Sequence, residues 1–137
     1  MSADATADLI GRYLFAFNLK DHDGMLACLS EDVIHDINQG GREIGREAFR
    51  WFYARMAAHH DEELGDIEVM VNGSGSRAAA EFTVRGAYLA TAEVLPEASG
   101  QRYSLSSGIF FEVDGGRITR VTSVCNLKEW IAQVTKG

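Results

Sequence analysis

The sequence predicts an α+β domain in which three N-terminal helices pack on one face of a curved antiparallel sheet. Two observations carry that prediction. Up to His59 the apolar residues recur at three- and four-residue steps, and after Gly65 they alternate with polar ones. Helices first and strands after, with no βαβ alternation, is the order of an α+β architecture.

The first helix runs from Asp4 to Leu19: Leu9, Ile10, Tyr13, Leu14 and Phe17 form one stripe, and Ala5, Ala7 and Ala16 favour the conformation. Asp21 is the expected N-cap of a second helix through Met25, Leu26 and Leu29, ended by Ser30-Glu-Asp32. Val33 to Ile37 reads as a short strand and Gly40-Gly41 as a turn. Gly45 precedes a third helix, Arg46 to about His59, with Phe49, Phe52, Tyr53 and Met56 along one side. Ile67, Val69 and Val71, and then Ala78, Ala80, Phe82, Val84 and Tyr88, alternate as a hairpin around Asn72-Gly-Ser-Gly-Ser76. Leu89 to Gln101 has neither period and holds the single proline, so it reads as a loop long enough to reach over a pocket mouth. Tyr103–Val113 and Arg117–Leu127 form a second hairpin at Asp114-Gly-Gly116, and Lys128 to Val134 closes with one or two helical turns.

With 137 residues and 46% hydrophobic content, the chain reads as one domain, 1–137, able to bury a full core and still leave a cavity. The formal charge of −7, with basic residues scattered singly, argues against nucleic acid as a partner. No apolar run approaches the roughly 18–20 residues of a membrane span, and the start, MSADATADLI, is acidic where a secretory leader is basic; a cytoplasmic protein that does not engage membranes is expected. Cys28 and Cys125 lie far apart in apolar settings and read as reduced, buried thiols.

Strong catalytic signatures are absent: there is no G-x-S-x-G, no Walker loop, no H-E-x-x-H and no paired C-x-x-C. Gly73-Ser-Gly75 lacks a third glycine and reads as a turn. His59-His-Asp-Glu-Glu63 has metal-ligand residue types, but a solvated acidic helix end collects the same residues, so neither metal nor cofactor is expected. Val33-Ile-His-Asp-Ile-Asn38 places His35, Asp36 and Asn38 in an otherwise apolar strand, where desolvation would raise a carboxylate's pKa and suit it to acid–base work. The plainer alternative has Asp36 and Asn38 bonding the Gly40-Gly41 turn and His35 capping a helix end. A one-residue change of register would exchange the faces of His35 and Asp36. Tyr13 and Tyr53 lie on the apolar stripes of their helices, so each buried hydroxyl needs a partner.

Gly11-Arg-Tyr13, Asn18, Asp21, Asp23-Gly24 and Glu31-Asp32, together with Arg50-Trp-Phe-Tyr-Ala54, resemble the helical region of the ketosteroid isomerase branch of the nuclear transport factor 2-like superfamily. That superfamily also contains the SnoaL-like polyketide cyclases. The likeness continues through Arg77–Val84 and Gly116–Val124. It implies a cone-shaped sheet wrapped around three helices, Tyr13 as oxyanion donor, Tyr53 behind it, and Asp36 as general base. In that isomerase an Asp moves a proton while a Tyr and a protonated Asp stabilise the dienolate. The second acid's position falls here on Gly108 or Ile109, neither of which donates from its side chain. Loss of one such donor removes about 3 kcal/mol of transition-state stabilisation, so a different substrate is implied.

The expectation is therefore an enzyme moving a proton next to the carbonyl of a small apolar ligand, in isomerisation, cyclisation or dehydration. Asp36, Tyr13, Tyr53 and His35 are its catalytic candidates. Phe17, Asn38, Phe52, Met56, Phe82, Val84, Tyr88, Val121, Ser123 and Cys125 are expected to line the substrate pocket. The alternative is a non-catalytic binding module of the same fold, with Asp36 turned to solvent and the cone filled. The resemblance further implies a homodimer, for which the outward Glu81, Thr83, Arg85 and Ala87 are suited.

Overall fold

The computed structural model describes residues 2–136. Helix α1 (Ala3–Asn18) is capped by Ser2, whose hydroxyl accepts from the Ala5 N–H, and it buries the predicted stripe of Leu9, Ile10, Tyr13 and Leu14. Each such side chain contributes roughly 1.5–3 kcal/mol through burial, enough to hold the helix on the sheet. Asp21 caps α2 (His22–Ala27) as expected, accepting from the Gly24 N–H at 2.9 Å. Helix α3 (Arg46–His59) follows Gly45 and buries Phe49 most deeply.

The strands are β1 (Leu29–Asp36), β2 (Arg42–Ile44), β3 (His60–Val71), β4 (Arg77–Tyr88), β5 (Gln101–Asp114) and β6 (Arg117–Cys125), followed by α4 (Leu127–Lys136). They form one sheet in the order β2-β1-β6-β5-β4-β3. Residues Gly115 and Gly116 take φ of 58° and 77°, the doubly positive turn that the β5–β6 hairpin requires.

Three features depart from the sequence expectation. First, the sheet is mixed: β1 pairs parallel with β6 through Ile34↔Arg120, His35↔Val121 and Asp36↔Thr122. Alternation marks a strand but carries no information on the direction of its neighbour, and β6 has an edge that only an N-terminal strand is left to cover. Second, α2 stops at Ala27 and β1 already begins at Leu29. Third, the stretch read as a solvated helix end is the start of β3. It pairs along the full length of β4, from His60↔Tyr88 to Val71↔Ala78. Helix propensity at His60–Gly65 yields to twelve residues of unpaired strand that β4 would otherwise expose.

Edge strand β3 is closed off by the end of α1. Asn18 accepts from the Leu64 N–H at 2.8 Å and donates to the Leu64 carbonyl at 3.0 Å, imitating a neighbouring strand. Helix α4 is clamped on β5, where Gln133 bonds both main-chain groups of Ser104 at 2.8 and 2.9 Å. No helix among the described residues is long and apolar enough to cross a membrane.

Candidate active site

Strand parity decides which side chains meet inside the cone. On β1 the inward residues are Val33 and His35, and Asp36 is turned to the outer face. There it takes both nitrogens of a cross-strand Arg42, Nε to Oδ1 at 2.6 Å and Nη2 to Oδ2 at 3.1 Å, and accepts from the Thr122 hydroxyl at 2.9 Å. The Arg42 guanidinium holds its carboxyl below the usual range, opposed in part by burial and helped by the Thr122 hydroxyl. This corrects the placement of a pKa-raised general base at Asp36: register put it on the opposite face, in an ion pair. The cone nevertheless stays open, with an internal cavity of about 410 Å³, within the range of small-molecule sites.

His35 is the residue that enters the cavity. Its ring is 1% exposed and packs between Phe49 and Phe52, each 4.7 Å away, with Tyr53 parallel at 6.3 Å. Helical spacing explains the box, because residues 49, 52 and 53 share one face of α3. Burial pushes the His35 pKa down to about 4 despite neighbouring Asp36, so the imidazole is neutral at pH 7, and its Nδ1 has no hydrogen-bond partner.

Tyr13 and Tyr53 both face the cavity, in keeping with their helical stripes. The Tyr13 ring rests edge-on against Phe111 at 5.7 Å and Phe49 at 6.4 Å, and its buried hydroxyl makes no hydrogen bond of ordinary length, although the Tyr53 hydroxyl lies close enough to act on it. Burial and the neighbouring Tyr53 raise its pKa far above that of a free phenol; burial pushes Tyr53 up to about 12. Both are proton donors at any physiological pH. Ser107, inward on β5 and one step from the Gly108–Ile109 position, adds a second orphaned hydroxyl to the wall.

Of the expected lining, Phe17, Asn38, Phe52, Met56, Phe82, Val84, Ser123 and Cys125 reach the cavity, and Tyr88 and Val121 do not. Val121 is fully buried beside His35 in the sheet. Tyr88 is also fully buried, and its hydroxyl donates to the Pro96 carbonyl at 2.7 Å and accepts from the Ala92 N–H at 2.9 Å. It ties down the 89–100 loop, which reaches over the cavity as anticipated and contributes Ala92 and Leu95. Asn38 is partly spent on structure: its amide donates to Cys125 Sγ at 3.2 Å and accepts from the Cys125 N–H at 3.0 Å.

One acidic side chain in the cavity was not foreseen. Glu62, inward on β3 between the exposed Asp61 and Glu63, lines the cavity and accepts from the Tyr103 hydroxyl at 2.5 Å. Burial raises its pKa, opposed by Tyr103 and by Lys20. His60, also inward, has its Nδ1 3.3 Å from the same hydroxyl and lies parallel to Tyr88 at 5.5 Å; burial lowers its pKa to about 4. The available signal was period-two alternation of His60, Glu62 and Leu64, masked by reading the segment as helix. Among the described residues no group of three or more His, Cys, Asp or Glu side chains is arranged to hold a metal ion.

Comparison with known proteins agrees with this fold. Residues 10–121 match the model of the SnoaL-like domain. Three solved structures, each of a protein whose proposed activity is that of a polyketide cyclase, are similar over nearly the whole chain. The one from Xanthomonas campestris pv. campestris is 53% identical with a TM-score of 0.94, covering 96% of this chain and 97% of that one. The Pseudomonas putida KT2440 protein is 51% identical with a TM-score of 0.93, covering 98% of each chain. The Silicibacter sp. TM1040 protein is 50% identical with a TM-score of 0.94, again covering 98% of each. No curated protein matches the chain. A cone of mixed sheet around three helices, matched along most of its length by that family model, places the chain in the SnoaL-like family of the nuclear transport factor 2-like superfamily.

Proposed function

We infer that this protein is an enzyme that moves a proton next to the carbonyl of a small, largely apolar substrate, as an isomerase or a cyclase. The observation that carries the reading is the Tyr13 hydroxyl, buried at the cavity wall with no partner. A buried donor left unpaired is destabilising in the empty protein, and a ligand oxygen that accepts from it removes that penalty. When an α-proton leaves a ketone, the C–H pair moves onto the carbonyl oxygen. A donor already fixed in an apolar cavity stabilises that oxygen most in the transition state. Tyr53 stands beside Tyr13, and the raised pKa of both means that they donate without ionising.

The proton itself needs an acceptor inside the cone, and His35 and Glu62 are inward groups able to serve, beside His60, whose Nδ1 is engaged by the Tyr103 hydroxyl. The similarity to proteins with a proposed polyketide cyclase activity supports the same chemistry turned to ring closure, in which the carbanion attacks a second carbonyl of the same molecule. The test is a titration of 2-naphthol, whose ionised oxygen imitates an enolate, into the wild type and Tyr13→Phe. Saturable binding that weakens roughly tenfold or more in Tyr13→Phe supports the reading. Equal binding by both, or none by the wild type, rejects it.

A further inference from the structure

Glu62, Gly86 and Tyr103 occupy one row across three strands: Glu62 pairs with Gly86 on β4, and Gly86 pairs with Tyr103 on β5. A side chain on the middle strand would separate the other two. At Gly86 there is none, and the Tyr103 ring lies in the gap. A Cβ built there would sit 2.5 Å from both Cζ and Oη of Tyr103. Only across that gap does the tyrosine reach the carboxylate two strands away, at 2.5 Å. The Tyr103 hydroxyl has one proton, given to Glu62 Oε2, so the contact at 3.3 Å has the His60 Nδ1–H donating to the tyrosine oxygen. Trp130 of α4 encloses the group, its ring 5.0–5.9 Å from those of Tyr88, His60 and Tyr103.

We propose that Glu62 is the catalytic base of this cavity and that Tyr103, reaching it through the space left by Gly86, is its positioning residue. The assignment rests on the proton-transfer reading above and names the acceptor that reading requires. The ionised Glu62 takes the α-proton. The C–H bond breaks, its electron pair moves to the carbonyl oxygen facing Tyr13, and the carboxyl returns the proton to the rearranged carbanion, so atoms and charge balance without a further reactant. His35 is the weaker candidate because its aromatic box holds its ring and its buried Nδ1 faces no acceptor. Around Glu62, Lys20 at the end of α1 donates to the main-chain carbonyl of Glu62 at 2.5 Å and pairs with Asp61 at 3.1 Å. The other titratable groups toward it are Tyr53 of α3, His60 and Asp61 of β3, Tyr103 of β5 and Cys125 of β6. Burial raises the Glu62 pKa from the ordinary carboxylate value toward neutrality, the direction a general base at pH 7 needs.

The experiment follows α-proton exchange of 2-tetralone in deuterated buffer by NMR, with 2-naphthol binding measured on the same samples. Glu62→Gln, which keeps shape and an acceptor for Tyr103, is expected to bind 2-naphthol within threefold of wild type and to exchange about 10²–10⁴ times more slowly. Loss of less than tenfold in exchange overturns the role of Glu62 while leaving the proton-transfer reading in place. A wild type that neither binds 2-naphthol nor exchanges 2-tetralone overturns that reading and the assignment with it. Tyr103→Phe and Gly86→Ala are expected to move the acidic limb of the exchange–pH profile upward, because the carboxylate loses its donor; an unmoved limb in both rejects the positioning role. Should Glu62→Gln fail to fold, the carboxyl ¹³C titration of wild-type Glu62 decides instead. An apparent pKa above the ordinary 4.5 supports the assignment, and one at or below it overturns it.

Discussion

Replacing Tyr13 by Phe separates what the residue does for the fold from what it does for a ligand, and the two effects have opposite signs. In the empty protein the hydroxyl is buried without a hydrogen-bond partner. The ring makes the packing contacts, edge-on to Phe111 at 5.7 Å and Phe49 at 6.4 Å, and phenylalanine preserves them. An unpaired buried hydroxyl carries a desolvation penalty of about 1–3 kcal/mol. Tyr13→Phe therefore stabilises the ligand-free protein by about 1–2 kcal/mol, a rise in Tm of roughly 3–6 °C for a domain of this size. The same oxygen, bonded to a ligand phenolate, is worth about 1.5–3 kcal/mol, so 2-naphthol binding weakens by roughly ten- to a hundredfold. Urea unfolding without ligand and fluorescence titration with 2-naphthol read the two effects on one preparation. A Tyr13→Phe variant less stable than wild type by more than about 1 kcal/mol refutes the reasoning, since the hydroxyl would then be bonded in the empty protein.

Three further predictions concern the surrounding residues. His35 is neutral in the folded protein down to about pH 4, whereas in the unfolded chain it takes up a proton from about pH 6.5. Its contribution to stability is therefore complete above pH 6.5 and is lost as the pH falls toward 4, by on the order of 3 kcal/mol at most. Glu62, with its pKa raised by burial, acts in the opposite sense, so the readout is the difference between proteins: urea midpoints of His35→Leu fall less than those of wild type between pH 7 and 4.5, and parallel falls contradict the account. Asp36→Asn breaks an outer-face ion pair with a half-exposed Arg42, so it lowers stability by about 1 kcal/mol or less and leaves 2-tetralone exchange within twofold; a hundredfold fall would return the base to Asp36. Tyr88→Phe frees the Pro96 carbonyl and the Ala92 N–H, so limited proteolysis between residues 90 and 100 accelerates severalfold while the thermal transition moves little; unchanged cleavage shows that other contacts hold the loop.

The helices were legible because each carries a continuous apolar stripe, and α3 falls on Arg46–His59 as its pattern indicates. The site was legible where it lay on those stripes: Tyr13, Phe17, Phe52, Tyr53 and Met56 all reach the cavity. On strands the limit was register. His35 and Asp36 are adjacent, and composition alone favoured the carboxylate as the buried acid, whereas the pairing His35↔Val121 and Asp36↔Thr122 turns it outward to Arg42. Glu62 was hidden for a different reason. Its neighbours His59, His60, Asp61 and Glu63 give the segment the composition of a solvated helix end, and only the long-range pairing with β4 makes it a strand with Glu62 inside. The role of Gly86 is not visible in sequence at all, since it depends on a tyrosine on the next strand.

Whether the cavity stabilises an enolate oxygen with Tyr13 while an inward group takes the proton is read from the rate of 2-tetralone α-proton exchange at pH 7 in wild type and Tyr13→Phe. Exchange well above the buffer rate is expected in the wild type, with a fall of about 10²–10³ in the variant, the size expected for losing one fixed oxyanion donor. Wild-type exchange no faster than buffer, or an unchanged rate in Tyr13→Phe, would contradict that chemistry.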